Sequence, residues 1–291
     1  MIHTLKNNTL IVRIDSVGAE LQSIQNQNGR EFLWQGDPDI WASRAPVLFP
    51  IIGALKEDTM FYEGKAYEMP KHGIVRYNPT LSVVKSSEKM LQLQLQSTPQ
   101  TREKYPFDFA FQITYQLDDN ALQVTHDIYN QGEEVMFFSV GGHPAFQCPV
   151  GEGRLYSEYF LQMENEETVS SYTLNDDGLI SDQTVPGIED GQIRLHPSLF
   201  EKDALIFKDH TSRRVTLCHD TDGELITVDF PDFSYLGVWA KPNAPFVCIE
   251  PWLGLADTIH TNQQFSKKEG IQSLVAGGHH QSTFLIRVHK T

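Results

Sequence analysis

The chain alternates apolar and polar side chains without interruption over Leu91–Gln96, which read LQLQLQ. Alternation of this kind puts every second side chain on one face, as in a strand with one face on a core and one toward water. The same pattern continues at Phe107–Leu117, at Leu122–Ile128 and at Phe284–Val288. Period two therefore dominates the chain and predicts an all-β fold.

Short turn signals separate the predicted strands. Asn28-Gly29, Glu63-Gly64-Lys65 and Asp220–Gly223 each fall between apolar runs, as expected of tight hairpin connections. The chain shows no alternation of strands with long helices and no repeat of fixed period. We therefore expect one large antiparallel β-sandwich, a single domain over residues 1–291.

Helices are expected to be few and short. The candidates are Pro38–Ser43, His196–Lys202 and Ala256–Thr261. None of them changes the predicted fold class.

The charge balance limits the partners of the chain. With 38 acidic and 23 basic side chains, the formal net charge is −15. A field of this sign repels phosphate groups, so nucleic acid and anionic membrane surfaces are not expected partners. An anionic substrate then requires arginines that make a local positive pocket.

The cysteines and the N-terminus predict the compartment. Cys148, Cys218 and Cys248 are odd in number and form no Cys-x-x-Cys pair, which favours reduced, buried thiols. A catalytic thiol at Cys148 or Cys248 is the alternative. No apolar signal core is present, and no run approaches the ~18 apolar residues of a membrane span. We expect a cytoplasmic protein, either a monomer or a homodimer, that acts on a small molecule.

Three distant segments carry chemically able side chains in rigid settings bounded by glycine or proline. They are Lys71–Arg76 (KHGIVR), Gly141–Phe146 (GGHPAF) and Cys248–Trp252 (CIEPW). Together they offer two histidines, an arginine and a carboxylate. That set suits general acid–base chemistry on a polar neutral or anionic small molecule.

His143 and Glu250 are the candidate acid and base. His143 lies between Gly142 and Pro144, and its ordinary pKa near 6.5 suits proton transfer at neutral pH. Glu250 ends a long apolar stretch, where neighbouring Phe246 and Trp252 would desolvate the carboxyl and raise its pKa. The alternatives are a histidine that caps a strand end, and a glutamate buried in an ion pair with Arg44 or Arg76.

Four further residues are candidates for substrate binding. His72 and Arg76 share one turn, and Arg44 precedes the apolar, proline-rich run Ala45–Gly53 that would hold it near the core. Arginine binds hydroxyls, carboxylates or phosphates through two parallel hydrogen bonds. For each arginine the alternative is a surface salt bridge. Asp203 begins a strand and otherwise reads as a turn residue.

No cofactor is expected. The remaining histidines show no metal-ligand spacing, and the chain has no glycine-rich phosphate loop. Tyr235, Trp239, Phe146 and Trp252 are open to two interpretations, stacking on a ligand or packing in the core.

These motifs resemble the aldose 1-epimerase (galactose mutarotase) family. The resemblance rests on Gly18–Ile24, Arg44 with its proline-rich run, the His72–Arg76 turn, Gly142–Pro144 and Glu250–Trp252, in that order. Within this family, the chain resembles the divergent branch that holds LacX-type proteins and hexose-6-phosphate epimerases. The resemblance covers nearly the whole chain and implies a β-sandwich with a sugar cleft on a concave face.

The resemblance also implies roles for individual residues. Glu250 would take the proton from the anomeric hydroxyl, and His143 would protonate the ring oxygen. His72, Arg44, Arg76 and Asp203 would hold sugar hydroxyls or a phosphate. No metal or other cofactor is implied.

Two departures and three alternatives accompany the resemblance. The longer asparagine- and histidine-containing motif of typical galactose mutarotases is absent from Pro70–Asn78. Many relatives read His-Gly-Phe-Ala-Arg where this chain has Ile74-Val75, so an aromatic wall is expected to be missing there. The substrate is either a free hexose or a hexose 6-phosphate. A carbohydrate-binding or sensing protein without turnover is the second alternative, and a glycoside hydrolase that uses Glu250 with Asp203 or Asp257 is the third.

Overall fold

The computed structural model describes residues 1–151 and 153–289. The first twelve strands are β1 (Ile2–Lys6), β2 (Leu10–Asp15), β3 (Leu21–Asn26), β4 (Val47–Leu48), β5 (Thr59–Tyr62), β6 (Lys65–Glu68), β7 (Ser82–Ser86), β8 (Met90–Gln96), β9 (Phe109–Asp118), β10 (Ala121–Asn130), β11 (Met136–Phe138) and β12 (Val140–Gly142). The remaining strands are β13 (Ala145–Gln147), β14 (Tyr159–Met163), β15 (Val169–Leu174), β16 (Ile180–Ile188), β17 (Gln192–Arg194), β18 (Leu205–Phe207), β19 (Arg214–His219), β20 (Gly223–Asp229), β21 (Tyr235–Trp239), β22 (Phe246–Leu253), β23 (Gln272–Leu274) and β24 (His279–Val288).

Two large antiparallel sheets form the body of the molecule. One has nine strands in the order β17-β14-β19-β20-β24-β10-β9-β8-β7. The other has eight strands, in the order β16-β15-β18-β21-β22-β12-β4 with β13 paired to β22. Smaller sheets are formed by β1-β2-β3, β5-β6 and β11-β23. The predicted all-β antiparallel sandwich is confirmed.

The alternation in β8 is used as the sequence predicts. Leu91, Leu93 and Leu95 lie in the core and are at most 1% exposed. The glutamines between them lie on the other face, where Gln92 donates to the side chain of Gln112 at 3.2 Å. The nine-stranded sheet therefore faces water on the side of its hydrogen-bonded glutamine side chains and packs against the core on the side of its leucines.

The predicted hairpins form at all three turn signals. Strand β3 and the segment after Gly29 pair through Gln25 and Glu31, and Gly29 adopts φ +80°. The turn at Glu63-Gly64 joins β5 to β6, and the turn at Asp220–Gly223 joins β19 to β20.

The three predicted helices are wrong. Pro38–Ser43, His196–Lys202 and Ala256–Thr261 are turns and irregular segments. Segments this short do not offset the cost of nucleating a helix, and local turns satisfy their backbone instead. The described residues hold one short α-helix, Pro99–Arg102, and four 3₁₀ turns at Val17–Ala19, Lys56–Asp58, Tyr156–Glu158 and Phe265–Lys267.

None of the helices in the described part of the chain is long and apolar enough to cross a bilayer.

Strand β22 is buried along its whole length and carries Glu250 into the interior. Its neighbour β21 places Gly237 directly opposite Glu250. A Cβ at Gly237 would collide with the ring of Trp252, so the missing side chain lets that indole lie across the sheet. The centre of the eight-stranded sheet therefore presents a carboxyl and an indole on one face.

Candidate active site

A cleft of about 270 Å³ lies over β21 and β22. Its polar wall is formed by Lys71, His72, Arg76, His143, Asp203 and Glu250. Its apolar wall includes Trp41, Leu174, Ile206, Trp239, Trp252 and Ala256. We call it the central cleft. Five of the six predicted site residues line it, although they come from segments up to 178 residues apart in sequence (72 to 250).

The backbone fixes His143 at the end of β12. Its amide donates to the carbonyl oxygen of Pro46 at 3.1 Å. Gly142 before it has no room for a side chain, because a Cβ there would lie 2.8 Å from the ring of Phe284. Trp41 stacks on the imidazole with ring centroids 5.2 Å apart. The backbone position and the stacked Trp41 ring therefore restrict where the imidazole of His143 lies.

His143 and Glu250 face each other across the floor of the central cleft. His143 Nε2 lies 3.3 Å from Glu250 Oε2, and the two residues are 7% and 1% exposed. Among the described residues, Glu250 Oε2 is fully buried and has no aligned hydrogen-bond donor. No arginine pairs with Glu250 within 4 Å in the described part of the chain, which removes the buried Arg44 or Arg76 ion pair as an explanation.

Burial sets the protonation of this pair. It raises the pKa of Glu250 well above its ordinary value of 4.5, while Lys71 nearby opposes the shift. Burial, with Arg76 adding to it, lowers the pKa of His143 to about 3. Both shifts disfavour charge, so burial favours the arrangement with the proton on the Glu250 carboxyl and a neutral His143 over the separated ion pair. Moving that proton to His143 creates a base and an acid 3.3 Å apart without gain or loss of protons.

His72 is oriented by a backbone hydrogen bond. The amide of Gly53 donates to His72 Nδ1 at 3.2 Å, so the neutral ring carries its proton on Nε2. Burial lowers the pKa of His72 well below 6.5, which keeps the ring neutral. His72 itself adopts φ +70°, and Gly73 after it adopts φ +85° against the carbonyl of Phe49. The ring meets His143 edge-on at 5.5 Å.

Two cations face the central cleft. Arg76 Nη2 donates to the hydroxyl of Tyr77 at 2.7 Å and to Ser43 Oγ at 3.1 Å. Lys71 is exposed and makes no ion pair within the described part of the chain. The sequence argument did not select Lys71, although it lies in the quoted segment beside His72. Although the protein as a whole is acidic, Arg76 and Lys71 make one wall of the central cleft locally positive.

Asp203 and Arg44 occupy different positions relative to the central cleft. Asp203 stands at its rim, exposed, with φ +70° and with its own Oδ1 accepting from the Ala204 amide at 2.8 Å. Arg44 does not line the cleft. Its guanidinium donates to the side chain of Gln22, and its amide donates to Glu20 at 2.8 Å. The binding role that the sequence assigns to Arg44 stays a prediction.

Indoles replace the aromatic wall that Ile74-Val75 cannot provide. Ile74 and Val75 are buried in the core and take no part in the central cleft. Trp41, Trp239 and Trp252 line it instead, from three separate segments. Trp41 carried no signal in the sequence, because it falls in the segment assigned to a helix. Phe146 is fully buried, so it packs in the core.

Cys248 lies behind the acid–base pair. One ligand atom each of His143, Cys248 and Glu250 falls within 4.8 Å of the others, and only His143 comes from a distant segment. Burial raises the pKa of the Cys248 thiol well above its ordinary value, as it does for the Glu250 carboxyl. Because both groups must lose a proton to bind a metal, the donor set fits a metal poorly.

Comparison with known proteins agrees with this fold. Residues 1–272 match the aldose 1-epimerase family. The chain therefore belongs to the aldose 1-epimerase family. It is 31% identical over 283 residues to the plasmid-encoded protein LacX of Lactococcus lactis subsp. lactis, covering 93% of this chain and 94% of that protein.

Solved structures of similar proteins superpose over the whole chain. A galactose mutarotase related enzyme from Lactobacillus acidophilus is 34% identical, with a TM-score of 0.93 over 100% of this chain and 98% of that chain. A galactose mutarotase-like protein from Lactobacillus casei is 28% identical, with a TM-score of 0.92 over 99% of this chain and 100% of that chain.

Proposed function

We propose that this protein is an isomerase that interconverts the α and β anomers of a hexose. The observation that carries the proposal is the buried His143–Glu250 pair, 3.3 Å apart on the floor of a cleft of monosaccharide scale. Anomerisation needs one acid and one base, with no nucleotide and no covalent nucleophile. Membership of the aldose 1-epimerase family supports the same reaction.

The reaction begins with the pair in its charged form, Glu250 as carboxylate and His143 as imidazolium. Glu250 takes the proton of the C1 hydroxyl while His143 gives its proton to the ring oxygen. The C1–O5 bond breaks, a carbonyl forms at C1, and the open-chain aldehyde results. Rotation about C1–C2 turns the other face of the carbonyl toward O5, and the reverse proton transfers close the ring as the other anomer.

Neighbouring groups hold the ring during these steps. His72 presents an Nε2–H donor because its Nδ1 is occupied by the Gly53 amide. Arg76 and Lys71 donate to oxygens on the polar side of the cleft. Trp239 and Trp252 offer flat apolar surfaces to the C–H face of the sugar. Burial of the pair also excludes water, which would otherwise weaken each proton transfer.

A hexose 6-phosphate is the second candidate substrate, favoured by Lys71. This ammonium lies in the cleft without an ion-pair partner in the described part of the chain. If the substrate carries a phosphate, Lys71→Ala raises its KM much more than that of the free hexose. If the substrate is neutral, the two KM values change alike.

Magnetisation-transfer NMR of anomer exchange tests the proposal. The substrates are glucose, galactose and their 6-phosphates, each with and without wild-type protein. We expect accelerated exchange of at least one of them, and the preferred sugar identifies the substrate class. Binding of these sugars without acceleration would replace the proposal with a sugar-binding protein.

A further inference from the structure

The acid–base pair needs a hydrogen-bond acceptor at His143 Nδ1. For Glu250 to pass its proton across 3.3 Å to His143 Nε2, that nitrogen must be unprotonated in the neutral ring, so the ring proton lies on Nδ1. The imidazolium keeps the same proton on Nδ1. This nitrogen is fully buried, and it has no hydrogen-bond partner among the described residues. Because a buried N–H without an acceptor is costly, the arrangement requires a further group at this position.

A small cavity between the two large sheets is also lined by His143. We call it the inter-sheet cavity; it has a volume of about 20 Å³. Val47 and Gly142 of the eight-stranded sheet lie on one side of it, and His126 and Phe284 of the nine-stranded sheet lie on the other. A cavity larger than about 10–15 Å³ has room for one water molecule.

His126 lines the inter-sheet cavity and has unused hydrogen-bonding capacity. Its ring is fully buried among Phe111, Phe233 and Phe284. Neither ring nitrogen has a hydrogen-bond partner in the part of the chain that the structure describes. Burial lowers the pKa of His126 to about 3, so the ring is neutral and one of its nitrogens is an acceptor. Polar groups buried in this way are commonly satisfied by an internal water.

Tyr115 adds a third polar group to the inter-sheet cavity. Its hydroxyl donates to the carbonyl oxygen of Ala19 at 2.7 Å, so the phenolic oxygen keeps a lone pair that can accept. The cavity thus has one N–H donor, on His143, and two acceptors, on His126 and Tyr115. A buried water typically makes about three hydrogen bonds, and its two O–H groups and its oxygen match this set.

We propose that the inter-sheet cavity binds one water molecule, which accepts the Nδ1–H of His143 and donates to a ring nitrogen of His126. The second O–H of the water donates to Tyr115. His126 is then a positioning residue that acts on His143 through the water, without contact with the sugar. The inference rests on the proposed function, in which His143 is the acid.

The water bridge determines which nitrogen of His143 is protonated. With an acceptor at Nδ1, the neutral ring has its proton there, and Nε2 is free to receive the proton of Glu250. Without that acceptor, the ring proton moves to Nε2, where the Glu250 carboxylate accepts it. The pair then holds one proton fewer, and His143 can offer the ring oxygen only a neutral imidazole N–H, a much weaker acid than the imidazolium.

Nitrogen-15 NMR of the histidine rings in the sugar-free protein tests the bridge. Wild type, His126→Phe and Ile128→Val are compared, and His143→Gln assigns the His143 signals. Ile128 is the control, because it is the next core-facing residue of β10, is buried and does not line the inter-sheet cavity. Wild type and Ile128→Val should carry the His143 proton on Nδ1, and His126→Phe should carry it on Nε2. The same tautomer in His126→Phe as in wild type overturns the proposal.

Anomer exchange gives a second readout. His126→Phe should lower kcat about tenfold while KM changes by less than about twofold, because His126 does not touch the sugar. His126→Asn and His126→Gln place an amide near one or the other ring nitrogen, and at least one of them should recover most of the lost rate. Equal loss of kcat in Ile128→Val, or no recovery in either amide variant, shows a packing role alone and overturns the proposal.

A crystal structure of the wild-type protein tests the water without any variant. Density for one water within about 2.7–3.2 Å of His143 Nδ1 and of a His126 nitrogen supports the proposal, and a dry cavity overturns it. Neither this density nor the His143 tautomer depends on turnover. If no sugar shows accelerated exchange, the proposed function fails, and these two measurements still decide the bridge.

Discussion

Replacing Glu250 by glutamine should make the protein less active and more stable at the same time. Glutamine keeps the shape of the side chain but can neither hold nor accept the catalytic proton. Loss of a general base typically costs ~10²–10⁴ in rate, or about 3–5 kcal/mol of transition-state stabilisation. We expect kcat for anomer exchange to fall by at least ~10²-fold while the sugar Kd changes little.

The gain in stability follows from the burial of the carboxyl. The pKa of Glu250 is raised on folding. Above about pH 4.5, the unfolded chain releases this proton while the folded chain retains it, so the free energy of unfolding falls as pH rises toward the folded-state pKa. The contribution approaches about 1.4 kcal/mol per pH unit in that window. Glu250→Gln has no such titrating group, so the stability of the variant relative to wild type should increase as the pH rises.

Both effects are measured on the same preparations. Magnetisation-transfer NMR gives the exchange rates, and urea unfolding at several pH values between 5 and 8 gives the stabilities. Glu88→Gln, at an exposed position outside the cleft, is the control and should match wild type in both assays. Near-normal turnover in Glu250→Gln would remove this residue as the base. A stability difference that does not change with pH would refute the argument from burial.

Three further perturbations test parts of the structure around the site. Lys268→Met should lower the free energy of unfolding in urea by about 3–5 kcal/mol, because it leaves Asp257 buried without the ammonium that lies 2.6 Å away. The Asp257→Asn/Lys268→Met double variant should recover stability, and a single variant as stable as wild type would contradict the prediction. His126→Phe should reduce the loss of unfolding free energy between about pH 7.5 and pH 5. Burial lowers the pKa of His126 to about 3, so below about pH 6.5 the unfolded ring binds a proton that the folded ring does not, and the variant lacks this effect. Equal shifts of the urea midpoint between these pH values in variant and wild type would count against the prediction. Gly73→Ala should lower the thermal midpoint. Gly73 adopts φ +85° and its position against the Phe49 carbonyl leaves no room for a Cβ, so the substitution should cost about 1–3 kcal/mol of stability. An unchanged midpoint would show that the turn adjusts without strain.

The fold was predictable because the sheets repeat one simple pattern. The LQLQLQ run and the later alternating runs put their apolar side chains in the core. The hairpin turns carry glycine where positive φ is needed, at Gly29 and Gly64. The helices were not predictable from the same reasoning, because Pro38–Ser43 and His196–Lys202 are short enough for turn geometry to replace helical hydrogen bonds.

The candidate site was predictable only where local sequence restricts the backbone. His72, His143 and Glu250 each lie beside glycine or proline, and the structure brings all three to one cleft. Trp41 has no such signature, since contacts with Trp239 and Phe246 from distant segments place it. Lys71 directly follows Pro70, but nothing else in its local sequence distinguished it from a surface lysine. Arg44 shows the opposite case: its local sequence resembles that of a site residue, yet Glu20 and Gln22 hold it outside the cleft.

The most direct test of the account is a double-mutant cycle on anomer exchange with His143→Gln, Glu250→Gln and the double variant. A pair that shares one proton and transfers it as a unit fails completely when either member is lost. We predict that each single variant loses at least ~10²-fold in kcat, and that the double variant stays within about threefold of the slower single variant. Losses that multiply in the double variant would contradict the account, because they would show that His143 and Glu250 act independently.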